Sequence, residues 1–100
     1  EGVATLEISP HQRRRLKAMA HGLQPTVQVG RAGVTEAVVA SVDRALLDHE
    51  LIKVQMREPE DKRAMAALLA EASHAALCGL IGHTVILYRP HPERPTIALD

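Results

Sequence analysis

The chain has 100 residues, enough for one domain, and 46% of them are hydrophobic, although Phe and Trp are absent and Tyr occurs once. Twelve basic residues balance twelve acidic ones, and this zero net charge excludes a general electrostatic attraction to nucleic acid. The single cysteine excludes an internal disulfide and a four-cysteine zinc site, and it favours a reducing, cytoplasmic location.

The charges are unevenly distributed along the chain. Residues 1–35 contain five basic and two acidic side chains, whereas residues 36–75 contain five basic and eight acidic ones. Local fields steer a ligand more than the total charge does. The N-terminal third is therefore the expected positive pole, and no apolar run approaches the roughly 20 residues of a membrane span.

The first predicted helix follows an arm of residues 1–8. Ser9, Pro10 and Gln12 form a helix start with a capping box. An apolar face is predicted at helical spacing, and it consists of Leu16, Met19, Ala20 and Leu23. Gly22 and Pro25 end the helix.

A basic stripe is predicted on the opposite side of this helix. At about 100° per residue, Arg14, Lys17 and His21 fall together, with Arg13 at the margin. Such a stripe is usually a solvated face. However, residues 9–35 contain no acid, and the first helical turn disfavours cations, so an anionic partner is an equally good interpretation.

A Gly-x-x-Gly loop connects a short strand at residues 26–29 to a second helix. The loop consists of Gly30, Arg31, Ala32 and Gly33, and Thr35 is the predicted cap of a helix that runs to His49. The free N–H groups at a helix start, with the positive end of the dipole, favour an anion, and Arg31 adds charge. A bare Gly-x-x-Gly is more often an ordinary loop.

The second helix is predicted to face the core with Val34, Val38, Val42, Ala45, Leu46 and His49, and solvent with Glu36, Asp43, Asp48 and Glu50. His49 is interpreted as a packed or capping side chain. Residues 51–56 form a strand with Lys53 on the polar face, and the strand–helix–strand order implies a parallel pair.

A third helix is predicted from Glu58 to about His74, with acids in its first turn. Its expected core side consists of Met65, Leu68, Leu69 and Ala72. Two strands, 77–82 and 84–89, flank a tight turn at Gly82 and His83, and residues 85–88 are predicted to be central. Residues 91–100 form a tail, in which residues 96–99 could add an edge strand.

Catalytic and metal sites find little support in the sequence. The six histidines show no recognised ligand spacing, and Cys78 lies in an apolar stretch. No Walker loop, nucleophile elbow or dinucleotide fingerprint is present. We therefore expect neither an enzyme nor a cofactor.

Five segments together resemble the bacterial YhbY proteins, whose single domain is the CRM (chloroplast RNA splicing and ribosome maturation) domain. The segments are LKAMAH at 16–21, LQP at 23–25 followed by Val27 and Val29, GRAGVTE at 30–36, HELIKV at 49–54 and IGHTVILYRP at 81–90.

The resemblance implies an α/β domain of residues 9–90 with three helices and a four-stranded mixed sheet, in the order α-β-α-β-α-β-β. It also implies a fold similar to the C-terminal domain of bacterial translation initiation factor three, and an association with precursors of the large ribosomal subunit. The family's Gly-x-x-Gly loop is likened to that of KH domains, which clamps the nucleotide backbone. Two departures, Ala32 and His83 where members often carry polar or basic residues, imply weaker RNA affinity.

The leading hypothesis is a non-catalytic RNA-binding protein of ribosome assembly, whose partner is ribosomal RNA or a pre-ribosomal particle. The predicted contacts are Gly30, Arg31, Ala32, Gly33, Thr35, Arg13, Arg14, Lys17 and His21, with Lys53, Tyr88 and Arg89 as extensions. The alternative is a protein-interaction module that binds a ribosomal protein or assembly factor through its acidic helices.

Overall fold

The computed structural model describes residues 7–97. Its elements are α1 (Pro10–Met19), which continues into a 3₁₀ turn (Ala20–Gly22), β1 (Pro25–Val29), α2 (Glu36–His49), β2 (Leu51–Met56), α3 (Lys62–Ser73), β3 (Ala76–Ile81) and β4 (Thr84–Tyr88). The strands form one sheet in the order β1-β2-β4-β3. β1 and β2 are parallel, and the other two pairs are antiparallel. This arrangement confirms the predicted α/β fold class and the central position of β4.

Local sequence determines where the helices begin. The Ser9 hydroxyl accepts from the Gln12 N–H at 3.1 Å, and the Gln12 side chain accepts from the Ser9 N–H at 3.0 Å, so the predicted capping box is present. Thr35 caps α2. The third helix begins at Lys62 with Asp61 as its cap, later than predicted, because Glu58 at φ 49° keeps the preceding segment in a turn.

The two faces of the sheet carry separate cores. α2 and α3 cover one face, where Val42, Leu46 and Leu69 pack against the alternate side chains of β1, β2 and β4. α1 covers part of the other face, where Leu16 and Ala20 are fully buried against β3 and β4. Strands of a sheet covered on both sides become nearly continuously apolar, as in β4.

Several predicted core positions are at the surface. Met19, Leu23 and Leu68 are 44%, 39% and 49% exposed, and Ala72 and His49 are exposed as well. The first helix and its 3₁₀ turn contact the sheet along a narrow line, so only Leu16 and Ala20 of the predicted apolar face are covered. α3 turns Ala66, Leu69, Ala70 and Ser73 inward, because its small side chains allow a closer approach than the larger leucine face.

Glu50 is the largest departure from the predicted pattern. It was expected to face solvent, yet it is 3% exposed and its carboxylate accepts hydrogen bonds from the segment that follows β4. Thr96 and Ile97 form no strand, and the remaining two residues of the predicted edge strand lie outside the described range. Ile8, at the end of the predicted arm, packs against the core beneath α1. None of the helices within residues 7–97 is long and apolar enough to cross a membrane.

Candidate nucleic-acid interface

The Gly-x-x-Gly loop is a tight, open turn at the carboxyl end of β1. The Gly33 N–H donates to the Gly30 carbonyl and the Thr35 N–H donates to the Gly33 carbonyl, both at 3.0 Å. Gly33 has φ 79°, a conformation that favours glycine. A methyl group built on either glycine would meet nothing of residues 7–97 within 4 Å, so this part of the chain leaves the loop open.

The loop retains backbone donors for a ligand. Within residues 7–97 the N–H groups of Arg31 and Ala32 have no hydrogen-bond acceptor, and the first turn of α2 adds amides with the positive end of its dipole. The Thr35 hydroxyl, by contrast, accepts from the Val38 N–H at 3.2 Å. Thr35 therefore serves as the helix cap, and its expected role in binding is limited to orienting α2.

Arg31 is not the free cation that the sequence suggested. Its guanidinium lies 3.4 Å from the Glu58 carboxylate, while the two side chains remain 83% and 70% exposed. Such an exposed ion pair is weak in water. A phosphate at the loop would therefore compete with Glu58 at a small cost.

The basic stripe runs across the strands on the face that α1 covers. Arg13 lies close enough to Cys78 of β3 for its charge to act on the thiol, and Lys17 lies over Gly79, where a methyl group would be 3.3 Å from the Lys17 Cδ. The Lys53 ammonium of β2 donates to the His21 carbonyl at 3.5 Å. The stripe therefore runs from β3 to β2, with the side chains of Arg13, Arg14, Lys17 and His21 exposed.

The basic stripe and the loop lie on opposite sides of one part of the sheet that α1 does not cover. This part, the strip, contains Gln28, Gln55, Thr84 and Ile81. Gly79 pairs with Ile86, and the next pair on that face is Ile81 with Thr84 at the strand ends. At this edge the Arg57 N–H donates to the Val29 carbonyl at 2.9 Å, and the Met56 N–H donates to the His83 carbonyl at 2.8 Å. The loop, Arg57 and the β3–β4 turn therefore lie along one edge, with the stripe on the other side of the strip.

The floor of this strip is a polar row that the sequence analysis did not identify. Gln28 pairs with Gln55, and Gln55 pairs with Thr84 across β1, β2 and β4. All three side chains alternate with apolar ones that enter the core beneath α2 and α3. The alternation of Gln28 and Gln55 with valine and methionine was a signal that could have identified two of them.

Two predicted contacts lie elsewhere. Tyr88 is 3% exposed, because its strand position turns the ring into the core under α1, and burial, followed by the charges of Glu50 and Cys78, raises the pKa of its hydroxyl. Arg89 follows the opposite end of β4 and donates to the Asp43 carboxylate and the Ser73 carbonyl, each at 2.7 Å. The structure therefore does not bring Tyr88 and Arg89 together with the loop and the stripe, and it leaves neither side chain free for a ligand there.

An acid-rimmed apolar groove lies between α2 and α3. Two adjoining cavities of about 780 and 470 Å³ share Val34 and Leu68 as part of their floor. Their charged rim consists of Glu36, Asp43, Glu58, Glu60, Asp61, Arg31 and Arg57. The groove therefore carries a net negative charge, in contrast to the strip on the other face.

Residues for metal or thiol chemistry are not assembled in the described part of the chain. Residues 7–97 bring together no group of three or more His, Cys, Asp or Glu side chains that could hold a metal ion. Burial raises the pKa of the Cys78 thiol to about 11, although the charge of Arg13 acts in the opposite direction. The thiol is therefore neutral at physiological pH and unsuited to act as a nucleophile.

Known proteins resemble the chain in sequence and in fold. An RNA-binding protein of Haemophilus influenzae is 40% identical over 88 residues, covering 86% of this chain and 89% of the relative. YqeI of Bacillus subtilis, named a probable RNA-binding protein, is 38% identical over 94 residues, covering 92% and 98%. A solution structure from Staphylococcus aureus, of a protein for which RNA binding has been suggested, superposes with a TM-score of 0.82 at 32% identity, covering 94% of this chain and all of that one.

The family model agrees with these relatives. The CRS1/YhbY (CRM) domain model matches residues 8–89, which include every helix and strand of the structure. On this ground the chain belongs to the CRS1/YhbY (CRM) domain family.

Proposed function

We propose that this protein is a non-catalytic RNA-binding protein that binds ribosomal RNA precursors in the cytoplasm during assembly of the large ribosomal subunit. RNA binding is supported by the family and by the names of the relatives. The ribosomal substrate is supported by the resemblance of the chain to the YhbY proteins.

In this proposal the Gly-x-x-Gly loop binds a phosphate through the N–H groups of Arg31 and Ala32 and through the first turn of α2. Arg31 leaves Glu58 for the phosphate. The basic stripe then holds the neighbouring phosphates along the other border of the strip, and Lys53 contributes beneath it. Affinity arises mainly from backbone charge, since phosphate contacts dominate protein–nucleic acid binding.

One observation carries the proposal: the loop and the basic stripe lie on the two borders of one solvent-facing strip of the sheet, although they come from separate elements. A chain with no net charge has no general attraction to RNA. Its cations must therefore be concentrated where the backbone runs, and this strip concentrates them.

Arg31→Glu combined with Lys17→Glu tests the proposal. We expect at least a hundred-fold loss of affinity for structured ribosomal RNA in a filter-binding or anisotropy titration, because two attractive charges become repulsive next to the phosphates. Circular dichroism and thermal denaturation establish that the variant is folded.

The matched control is Lys62→Glu combined with Arg63→Glu. These residues lie in the first turn of α3 on the other side of the sheet, where acids suit the helix dipole, and the change in net charge is identical. The control is expected to bind RNA within about three-fold of wild type. Equal losses in the two variants, or retained affinity in the folded test variant, would place the binding face elsewhere.

The acid-rimmed groove favours a second candidate function, binding of a basic segment of a ribosomal protein or assembly factor. Leu68 is 49% exposed at its floor, and the acids around it complement a basic peptide with an apolar anchor. Affinity capture from lysate, repeated after nuclease treatment, separates the two functions. A partner that survives the nuclease and is lost in Leu68→Asp supports protein binding, and a partner lost with the RNA supports the first proposal.

A further inference from the structure

The side chains of the polar row, Gln28, Gln55 and Thr84, have no hydrogen-bond partner in the described part of the chain. The two glutamine side chains are exposed, and residues 7–97 provide no hydrogen-bond partner for either carboxamide. The three residues face one another on adjacent strands. They therefore place donors and acceptors in line on the floor of a strip whose borders carry the cations.

The polar row is long enough for a small number of planar groups such as nucleobases. Neighbouring strands lie about 4.8 Å apart, so the row from β1 to β4 is about 10 Å long. A cavity of about 220 Å³ lies at its β1–β2 end, lined by Gln28, Gln55, Met56 and Arg57. The site is therefore a shallow, uncharged floor that has space for one or two bases between charged borders.

Stacking of an unpaired base on a Phe, Trp or Tyr ring is not available at this site. The chain has no Phe or Trp, and its one tyrosine, Tyr88, is buried. Each base edge presents neighbouring donors and acceptors, and a carboxamide offers both in one plane. The major groove of duplex RNA is too deep and narrow for side chains to read the base edges in it, whereas unpaired bases expose these edges.

We propose that the polar row reads the base edges of single-stranded RNA while the Gly-x-x-Gly loop and the basic stripe hold its phosphates. Gln28 and Gln55 bind the edges of one or two unstacked bases, and the Thr84 hydroxyl provides a further contact. The inference rests on the proposed RNA-binding function and deepens it, because it names the RNA class and the residues that give sequence preference.

The test measures the affinity of the full chain for a panel of single-stranded RNA oligonucleotides of systematically varied sequence, together with one RNA duplex. Wild type is expected to prefer some single-stranded sequences over others by roughly ten-fold, the discrimination typical of one bidentate contact. Gln28→Ala combined with Gln55→Ala is expected to bind all sequences at the level of the poorest one. Gln28→Met combined with Gln55→Met, which keeps the side-chain length without the amides, is expected to do the same.

The control is Gln24→Ala, an exposed glutamine near the opposite end of the sheet, which should leave the preference intact. A wild type that binds RNA without any sequence preference, a preference for the duplex, or a preference that survives in the folded double variants would overturn the inference while RNA binding stands. A wild type that binds none of the RNAs would overturn the proposed function and this inference together.

Discussion

At the scale of single residues, Glu50 shows how a distant segment can determine the role of a charged side chain. It follows α2 with φ 66°, and its carboxylate accepts from the N–H groups of His91, Thr96 and Ile97 and from the Thr96 hydroxyl. Burial on its own would raise the pKa of this carboxyl, but the four hydrogen bonds outweigh it and the pKa is lowered from its usual 4.5. The ionised carboxylate therefore attaches the C-terminal segment to the end of α2.

Glu50→Gln is expected to reduce the free energy of unfolding at pH 7 by about 1–3 kcal/mol, because the amide replaces a charged acceptor and leaves donors unsatisfied. A lowered folded-state pKa means that the contribution is complete above the unfolded pKa and is lost as the pH falls through the folded value. The difference between wild type and variant should therefore shrink below about pH 4.5. Urea denaturation at several pH values measures it.

Glu71→Gln is the control for this prediction, since Glu71 is exposed on α3 and its carboxylate has no hydrogen-bond or ion-pair partner within residues 7–97. Its effect should be within about 0.5 kcal/mol at every pH. A Glu50 effect that is equally small, or one that does not change with pH, would show that the carboxylate charge does not hold the segment.

The residues that the sequence predicted correctly act over a few positions, and those it missed act over many. The Ser9–Gln12 capping box lies within four residues and was predicted in full. The contacts of Glu50 with residues 91–97 and of Arg89 with Asp43 join parts of the chain more than 40 positions apart. From the local pattern alone, Glu50 was therefore expected to face solvent and Arg89 to contact a ligand, although each has its partner in a distant segment.

At the scale of elements, the order and the type of every helix and strand followed from periodicity and capping, but the rotation of the helices did not. The angular position of an apolar face is known from sequence only to within a residue or so, and the partner element decides which part of it is covered. α3 approaches the sheet through alanines and leaves Leu68 out. The polar row was missed for the same reason, because only the strand register places Gln28 beside Gln55.

Substitutions of the two loop glycines distinguish an effect on protein stability from an effect on RNA binding. Gly33→Ala is expected to destabilise the protein by about 1–2 kcal/mol, because φ 79° is strained for a residue with a Cβ. Gly30→Ala meets open space and requires no such conformation, so its melting temperature should not fall below that of wild type. Its affinity for RNA should nevertheless fall several-fold, since the new methyl lies where the backbone of the loop would approach a phosphate.

Gly22→Ala provides the comparison for the second substitution, as it adds a methyl to open space at the 3₁₀ turn, away from the loop. It should lower neither the melting temperature nor the affinity for RNA. Unchanged affinity in Gly30→Ala would mean that the ligand does not approach the loop backbone.

At the scale of the whole molecule, a net charge of zero conceals two faces of different character. The face that α1 covers carries the basic stripe, and the groove between α2 and α3 carries the acids. The sequence indicated this separation, because the N-terminal third has the basic surplus and the middle of the chain has the acidic one. What it could not provide was the position of the loop between the two faces, where Arg31 contacts Glu58.

The cations that are proposed to bind RNA lie on one face of the molecule. The salt dependence of RNA binding should therefore be set by the charges of that face. If the loop and the stripe together neutralise about four phosphates, log affinity for single-stranded RNA should fall with log salt at a slope of roughly −3. The slope should approach −1 in the Arg31→Glu, Lys17→Glu variant and remain near −3 in the Lys62→Glu, Arg63→Glu control, whose cations lie on the other face. Anisotropy titrations from about 50 to 300 mM potassium chloride measure all three slopes. A wild-type slope near zero would show that binding does not depend on phosphate neutralisation, and equal slopes in the two variants would show that the whole molecule, and not the strip beside α1, attracts the RNA.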